Sequence, residues 1–314
     1  MTLVCAKALM KRFGEMTAVD GVSLSVGRGE VVGFLGPNGA GKSTTMKMVS
    51  GFLEPDDGTA EICGADIRRD PVEAKRRLGY LPEGAPAYGD MLVADFLRFC
   101  GKMRGLRGAR LEDRLAEMVE RTQLAEVWSR PIETLSKGYR RRVGIAQALL
   151  HDPDALILDE PTDGLDPNQK HEMRALIRAI APEKAIVVST HILEEVEAVC
   201  TRAVIIARGR VVADAKPHEL MERAADGRAI RVTVASPEER AVVEKLTPHA
   251  DGARIEVIER VNGSTRVLIR LDDRPADAAA LAARLKEADL PIEEVGIWRP
   301  RLEDVFRDVT GRVH

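Results

Sequence analysis

Long apolar runs are absent from this 314-residue chain: no uninterrupted stretch approaches the roughly 18 apolar residues that a membrane-spanning helix needs. The N-terminal segment "MTLVCAKALMKRFG" has no extended apolar core, no small-residue cleavage site, and basic residues on the wrong side for a signal peptide. Cysteine is scarce too. Cys5, Cys63, Cys100 and Cys200 lie far apart with no CxxC pair, which argues against a zinc framework. The spacing fits a reducing compartment, where a free thiol acts as a small buried hydrophobe. An excess of one charge is missing as well: 47 basic residues face 50 acidic ones, for a formal net charge of −3. Tight basic clusters are short, such as Arg140-Arg141-Arg142, so the chain has neither a global attraction to anionic surfaces nor the basic stripe of a nucleic-acid reader. These absences lead to the expectation of a soluble, cytoplasmic protein that binds no nucleic acid.

The length suggests two domains. Residues 1 to about 30 alternate as strands do, in "LVCAKALMKRFG" and "GVSLSVGRGE". A buried strand Val31–Leu35, a glycine-rich loop and a helix from about Ser43 to Ser50 follow. "EPDDGTAEICG" and "RRLGYLPEGAPAYG" each offer a short strand beside a turn. From about residue 90 to 150 the apolar spacing becomes i, i+3, i+4, i+7, in "MLVADFLRFCGKMRGL", "RLEDRLAEMVERTQL" and "GYRRRVGIAQALLHD", and predicts helices. Strand patterns return in "ALILDEP", "AIVVSTH" and "AVIIARGRVVAD"; the latter two each follow a helix, which predicts crossovers and a parallel sheet buried on both faces. Polar "ERAADGR", residues 222–228, reads as a linker. Beyond it the order βαββαβ predicts a ferredoxin-like split βαβ arrangement, closed by the amphipathic "RLEDVFRDVTG".

The stretch "VVGFLGPNGAGKSTTMKMV", residues 31–49, places three glycines between a strand and a helix. Gly36, Gly39 and Gly41 let the backbone fold tightly and turn several N–H groups inward, on the positive end of a helix. The spacing Gly36-x-x-x-x-Gly41-Lys42-Ser43, with Pro37, Asn38, Ala40 and Thr44 completing the run, is the phosphate-binding loop of nucleotide hydrolases. A turn that merely links two elements is the bland account. "ALILDEP" delivers Asp159 and Glu160 at a strand's C-terminal end, where ligands sit in open α/β sheets. Asp159 and Ser43 are placed to hold the Mg²⁺ that bridges β- and γ-phosphates, Lys42 to reach phosphate, and Glu160 to polarise a water for attack. Alone, this pair could equally be an acidic turn.

Leu135-Ser136-Lys137-Gly138-Tyr139, lying between the helical block and the acidic strand, resembles the signature motif of ABC-type ATPases in a variant with Lys and Tyr. Other segments resemble that family in its order: Gly164-Leu165-Asp166 after the acidic strand, His191 in "VVSTHIL", and Phe13 in "KRFG". In "GYLPE", Glu83 stands where the family usually has Gln; that form, with "LSKGY" and "RPRLEDVFRDVTG", resembles the ATP-binding subunits of ABC-2-type exporters. The resemblance implies a P-loop NTPase fold with a β-rich N-terminal subdomain and a helical insert (about 88–152) over residues 1–222. It covers the tail only loosely, and the reading of 228–314 as a small α+β ferredoxin-like domain comes from its element order. The resemblance implies ATP and Mg²⁺ as ligands, with Glu83 near the metal, Phe13 stacked on adenine and His191 at the γ-phosphate. It implies a head-to-tail dimer in which Ser136, Lys137, Gly138, Tyr139 and Asp166 serve the other subunit's ATP, docked on separate membrane permeases at the cytoplasmic face. For Phe13 a buried core aromatic is the competing account. Arg140–Arg142 read as a solvated helical face, with neutralisation of phosphate at the dimer interface as the alternative, and the tail reads as either a sensor or a docking platform. A soluble ABC mechanoenzyme and a nucleotide-gated regulatory module are the other classes.

Overall fold

The computed structural model describes residues 1–225, 229–250, 253–261, 263–270, 283–285, 291–298 and 301–311. Two compact units form: Met1–Pro217 joined by the residues from Phe306 onward, and His218–Val305.

In the first unit, β1 (Thr2–Phe13), β2 (Met16–Gly27), β4 (Asp57–Ile62) and β5 (Ala65–Asp66) make an antiparallel sheet in the order β2-β1-β4-β5. A second sheet runs β10-β9-β3-β8-β7-β6, from β3 (Val31–Leu35), β6 (Leu78–Leu81), β7 (Ala155–Asp159), β8 (Ala185–Thr190), β9 (Arg202–Ala207) and β10 (Arg210–Ala215). Its pairings β9–β3, β3–β8, β8–β7 and β7–β6 are parallel. Every residue of β3, β7 and β8 is buried, because successive side chains enter different cores. Val32, Phe34, Ile157 and Val187 face the core shared with β1, β2 and β4. Val31, Leu156, Leu158, Ile186 and Val188 face the core shared with the helices. That double coverage is why these strands read as unbroken apolar runs rather than alternating ones. Each such side chain contributes about 1.5–3 kcal/mol, and Phe34→Ala would cost about 3–5 kcal/mol.

Helix α1 (Lys42–Val49) follows β3, and α2 (Pro71–Arg76) precedes β6. Between β6 and β7 lie α3 (Val93–Met103), α4 (Gly108–Arg121) and α5 (Lys137–Leu149), whose Leu97, Leu111, Leu115, Val143 and Leu149 are buried in the helical core. The crossovers α6 (Pro167–Ile180) and α7 (Leu193–Val199) lead into β8 and β9.

Two features depart from the pattern reading. The strand pattern "AVIIARGRVVAD" holds two strands, β9 and β10, turning about Arg208 and Gly209 at φ 48° and 77°, and β10 pairs antiparallel where the pattern predicts a parallel sheet. Helix α2 leaves no pattern in the sequence: six residues are too few to show a period, although Asp70 caps its start and Pro71 opens it.

In the second unit, β11 (Ala229–Val234), β12 (Arg254–Val261), β13 (Ser264–Arg270) and β14 (Ile292–Ile297) pair antiparallel in the order β12-β13-β11-β14. Helix α9 (Glu239–Leu246) connects β11 to β12, which then lie apart with β13 between them, as in a split βαβ. Ile230, Val232, Val234, Val242, Leu246, Val267 and Ile269 fill its core. The helix expected over 274–290 lies outside the described residues, except for a short piece at 283–285. Of the expected linker, residues 222–225 are the last turn of α8 (Pro217–Ala225), and the rest lies outside the described residues. The closing segment forms α10 (Leu302–Gly311).

Candidate functional site

The phosphate loop joins the C-terminal end of β3 to α1, and two glycines make the path possible. A Cβ on Gly36 would lie 2.5 Å from the Ile206 carbonyl oxygen. Gly41 has φ 103°, and a Cβ there would lie 2.5 Å from the Ala18 carbonyl oxygen. The loop is therefore wedged against β9 and β2 by backbone, and any side chain at either position would unseat it. No side chain caps α1, so its first N–H groups remain available at the positive end of the helix. Lys42 is 7% exposed, and its Nζ donates to the carbonyls of Gly36 at 2.7 Å and Pro37 at 3.3 Å. Burial pushes its pKa down, against the opposing pull of Glu160, Asp159 and Glu83.

Phe13, Met16, Ala18, Asn38, Gly39, Gly41, Lys42, Ser43, Thr44, Glu83 and Glu160 line a cleft of about 350 Å³. Its apolar lining includes Phe13 and Met16, which stand 47% and 63% exposed. That exposure answers the core account of Phe13: the ring is not buried. Its acidic lining is Glu83 and Glu160. Asp159 is fully buried; its Oδ1 accepts from Ser43 Oγ at 3.4 Å and from Ser189 Oγ, while its Oδ2 has no partner. A buried carboxylate oxygen with no donor is costly unless a cation or water meets it. With the Ser43 hydroxyl beside it and the Glu83 carboxylate on the same cleft, the donor set is all oxygen and fits Mg²⁺.

Glu160 directly follows β7 with φ 51°, a left-handed conformation that is unusual for a residue with a Cβ. Its N–H donates to the Ser189 carbonyl at 3.0 Å, and its Oε2 lies 3.0 Å from His191 Nδ1. Burial pushes its carboxyl pKa up, while the bond to His191 and the charges of His191 and Lys42 pull it down. A buried acid with an elevated pKa beside a phosphate cleft is suited to accept a proton.

The remaining sequence-predicted residues lie elsewhere. Ser136 caps α5, its Oγ accepting from the Tyr139 N–H at 3.3 Å. Lys137 Nζ bonds Asp163 Oδ2 at 2.8 Å, and the Tyr139 hydroxyl donates to Glu126 at 3.0 Å. Gly138 abuts the Gln169 side chain, which a Cβ would meet at 2.5 Å. Asp166 caps α6 in a reciprocal box with Gln169. None of these five lines the cleft.

The solvated-face account of Arg140–Arg142 needs correction. Arg141 is 2% exposed, and its Nε and Nη1 have no partner. It lies on the buried stripe Gly138, Arg141, Ile145, Ala148, a helical spacing visible in the sequence. Arg142 bonds Gln123 and Glu172 and lies over the Tyr139 ring; Arg140 alone is exposed. A buried triad behind the site has no motif of its own: Glu195 accepts from the hydroxyls of Thr162 and Thr190. Only Thr190, next to His191, carried any signal of it.

Residues 19–163 match the ABC transporter family. The chain is 36% identical over 312 residues to the Nod factor export ATP-binding protein I of Ralstonia nicotianae, covering 99% of this chain and 94% of that one. This chain belongs to the ABC transporter family, as one of its ATP-binding proteins. It is 34% identical to the daunorubicin resistance ATP-binding protein DrrA2 of Streptomyces coeruleorubidus, over 98% of this chain and 95% of the relative. With the linearmycin resistance ATP-binding protein LnrL of Bacillus subtilis it shares 32% identity over 98% of each. Among solved structures, an ATP-binding subunit of an ABC transporter superposes with a TM-score of 0.66 at 33% identity, over 71% of this chain and 93% of the other. A dimeric ABC cassette in a post-hydrolysis state, 24% identical, shares the fold with a TM-score of 0.63. Among the described residues, no helix is long and apolar enough to cross a membrane.

Proposed function

We propose that this chain is the ATP-hydrolysing subunit of an ABC-2-type exporter, acting as a head-to-tail pair at the cytoplasmic face on separate membrane-embedded subunits. The observation that carries the ATPase reading is the contact of Glu160 Oε2 with His191 Nδ1 at 3.0 Å, beside a cleft that also holds the buried Lys42. The export reading rests on the relatives' names, together with a match that runs through both units and not the nucleotide unit alone.

In this reading the N–H groups of Gly39–Thr44 and the Lys42 ammonium hold the β- and γ-phosphates, and Phe13 stacks on the base. Ser43, Asp159 and Glu83 would hold Mg²⁺, which when bound would neutralise phosphate charge. Glu160 takes the proton of the attacking water, and the raised pKa of its carboxyl favours that transfer. His191 fixes the Glu160 carboxylate in orientation. The partner's Ser136–Gly138 would complete each site, because the N-terminus of α5 is a second place where phosphate is favoured.

Glu160→Gln should abolish turnover while ATP still binds and drives dimer formation, read by phosphate release and by light scattering. Normal turnover would remove Glu160 from the chemistry. Purifying the tagged Glu160→Gln chain from membranes with ATP should recover a polytopic membrane protein in comparable amount; recovering ribosomes or nucleic acid instead would leave the ATPase standing and overturn export.

A further inference from the structure

Glu160 and His191 come from different strand ends, after β7 and after β8, yet their side chains meet. One carboxylate joins these two regions from behind. Glu195, on α7 and 2% exposed, accepts from the Thr162 hydroxyl at Oε1 and from the Thr190 hydroxyl, at 3.0 Å, at Oε2. Thr162 lies two residues after Glu160, and Thr190 immediately precedes His191. The Thr190 hydroxyl also accepts from the Ile192 N–H at 3.0 Å, so it grips both flanks of His191. Both threonines are buried, at 2% and 0% exposure. The chain thus closes a ring: Glu160, Thr162, Glu195, Thr190, His191 and back to Glu160.

We infer that Glu195 is a positioning residue for hydrolysis, clamping the loop after β7 to the end of β8 so that the Glu160 carboxylate and the His191 ring are held in register. This rests on the reading of Glu160 and His191 as the hydrolytic pair. Three features support positioning over simple packing. Glu160 keeps a left-handed backbone, a state that persists only where its surroundings over-determine it. One oxygen of Glu195 is committed to the loop after β7 and the other to the last residue of β8, so neither can shift without breaking a bond. Glu195 does not line the nucleotide cleft, so its loss should act on the rate of chemistry and not on ATP binding. Misplacing a reacting group by about 1 Å can cost about 100-fold in rate.

The test uses the full chain and near-isosteric variants that keep the core filled. Glu195→Gln replaces one acceptor oxygen with an amide, and Thr162→Val removes one donor. Each should lower kcat by about 10-fold while the Kd for ATP stays within about 2-fold, with sites counted by nucleotide titration so that any misfolded fraction is excluded. The two cut the same link, so the double variant should lose no more than about 2-fold beyond the worse single one. An unchanged kcat in both variants, a parallel fall in ATP affinity, or a double loss equal to the product of the singles would each overturn the inference. Glu160→Gln, assayed alongside, separates the two ideas. If it retains turnover, the hydrolytic reading itself fails; if it is inactive while Glu195→Gln is normal, only the clamp fails.

Discussion

Two helix starts in this chain present N–H groups to the outside, α1 after the phosphate loop and α5 after Leu135, and they are built in opposite ways. The start of α1 has no capping side chain, is wedged in place by Gly36 and Gly41, and has a buried lysine folded over it. The start of α5 is exposed and closed on itself: Ser136 caps it, and Lys137 is paired with Asp163. The first is a phosphate site that exists before its ligand arrives. The second has satisfied its own groups, and under the proposed pairing of subunits it would have to exchange partners to accept a phosphate. That contrast suits a site that binds ATP in one subunit and is completed only when another closes upon it.

The contrast breaks most sharply at Lys42. Lys42→Ala should reduce kcat by about 100- to 1,000-fold, the loss expected when one preorganised donor to developing negative charge is removed, with steady-state phosphate release as the readout. Ser136→Ala should act second and differently. Loss of the cap should cost about 1 kcal/mol of stability in chemical denaturation, and ATP-driven dimerisation should weaken while nucleotide affinity of the single chain is unchanged. Equal damage to single-chain affinity would erase the distinction between the two starts.

A subtler prediction concerns Glu160. Its folded-state pKa is raised above the ordinary value of 4.5 by burial. The charged form is therefore disfavoured by folding, and the penalty is present at neutral pH and disappears as pH falls through the raised pKa and then the ordinary one. Glu160→Gln should melt at a higher temperature than the native chain at neutral pH, and the gap should close on acidification toward the ordinary carboxylate range. A gap that widens in acid would contradict the desolvated carboxyl. The smallest effect belongs to Lys137→Met: with both partners about half exposed, its pair with Asp163 is worth about 0–1 kcal/mol. The melting temperature of the nucleotide-free chain should barely move, and the concentration of ATP needed for dimerisation should change only a few-fold.

Much of the nucleotide unit was legible because its signals are local. The passage from β3 through the loop to α1, and the acids at the end of β7, lie in continuous stretches where glycine spacing and apolar runs carry the message. What escaped depends on distant pairing. "AVIIARGRVVAD" carries a strand pattern that does not disclose the antiparallel pairing of β10 with β9. Arg141 looks like one of three solvated cations, yet helical geometry turns it alone into the core. Glu195 looks like one more surface acid in "LEEVEAV", and its partners lie 33 and 5 residues away. The placement of Ser136–Tyr139 outside the cleft follows from the resemblance, which assigns them to another subunit's nucleotide, and no spacing within this chain discloses it.

The register of β3 carries a consequence for how the chain is made. This strand sits between β8 and β9, with Val31 opposite Ile186. At about 5–20 residues per second, a ribosome needs roughly 8–30 s to pass from one to the other. Throughout that interval Val31–Leu35 has no lateral partner, and Gly36 just beyond it has no Ile206 to lean upon. The nucleotide pocket, though encoded near the beginning of the chain, can be assembled only after more than half of it has left the exit tunnel. A stalled or truncated nascent chain would therefore display an unpaired apolar strand, and would be a substrate for chaperones before it could ever hold ATP.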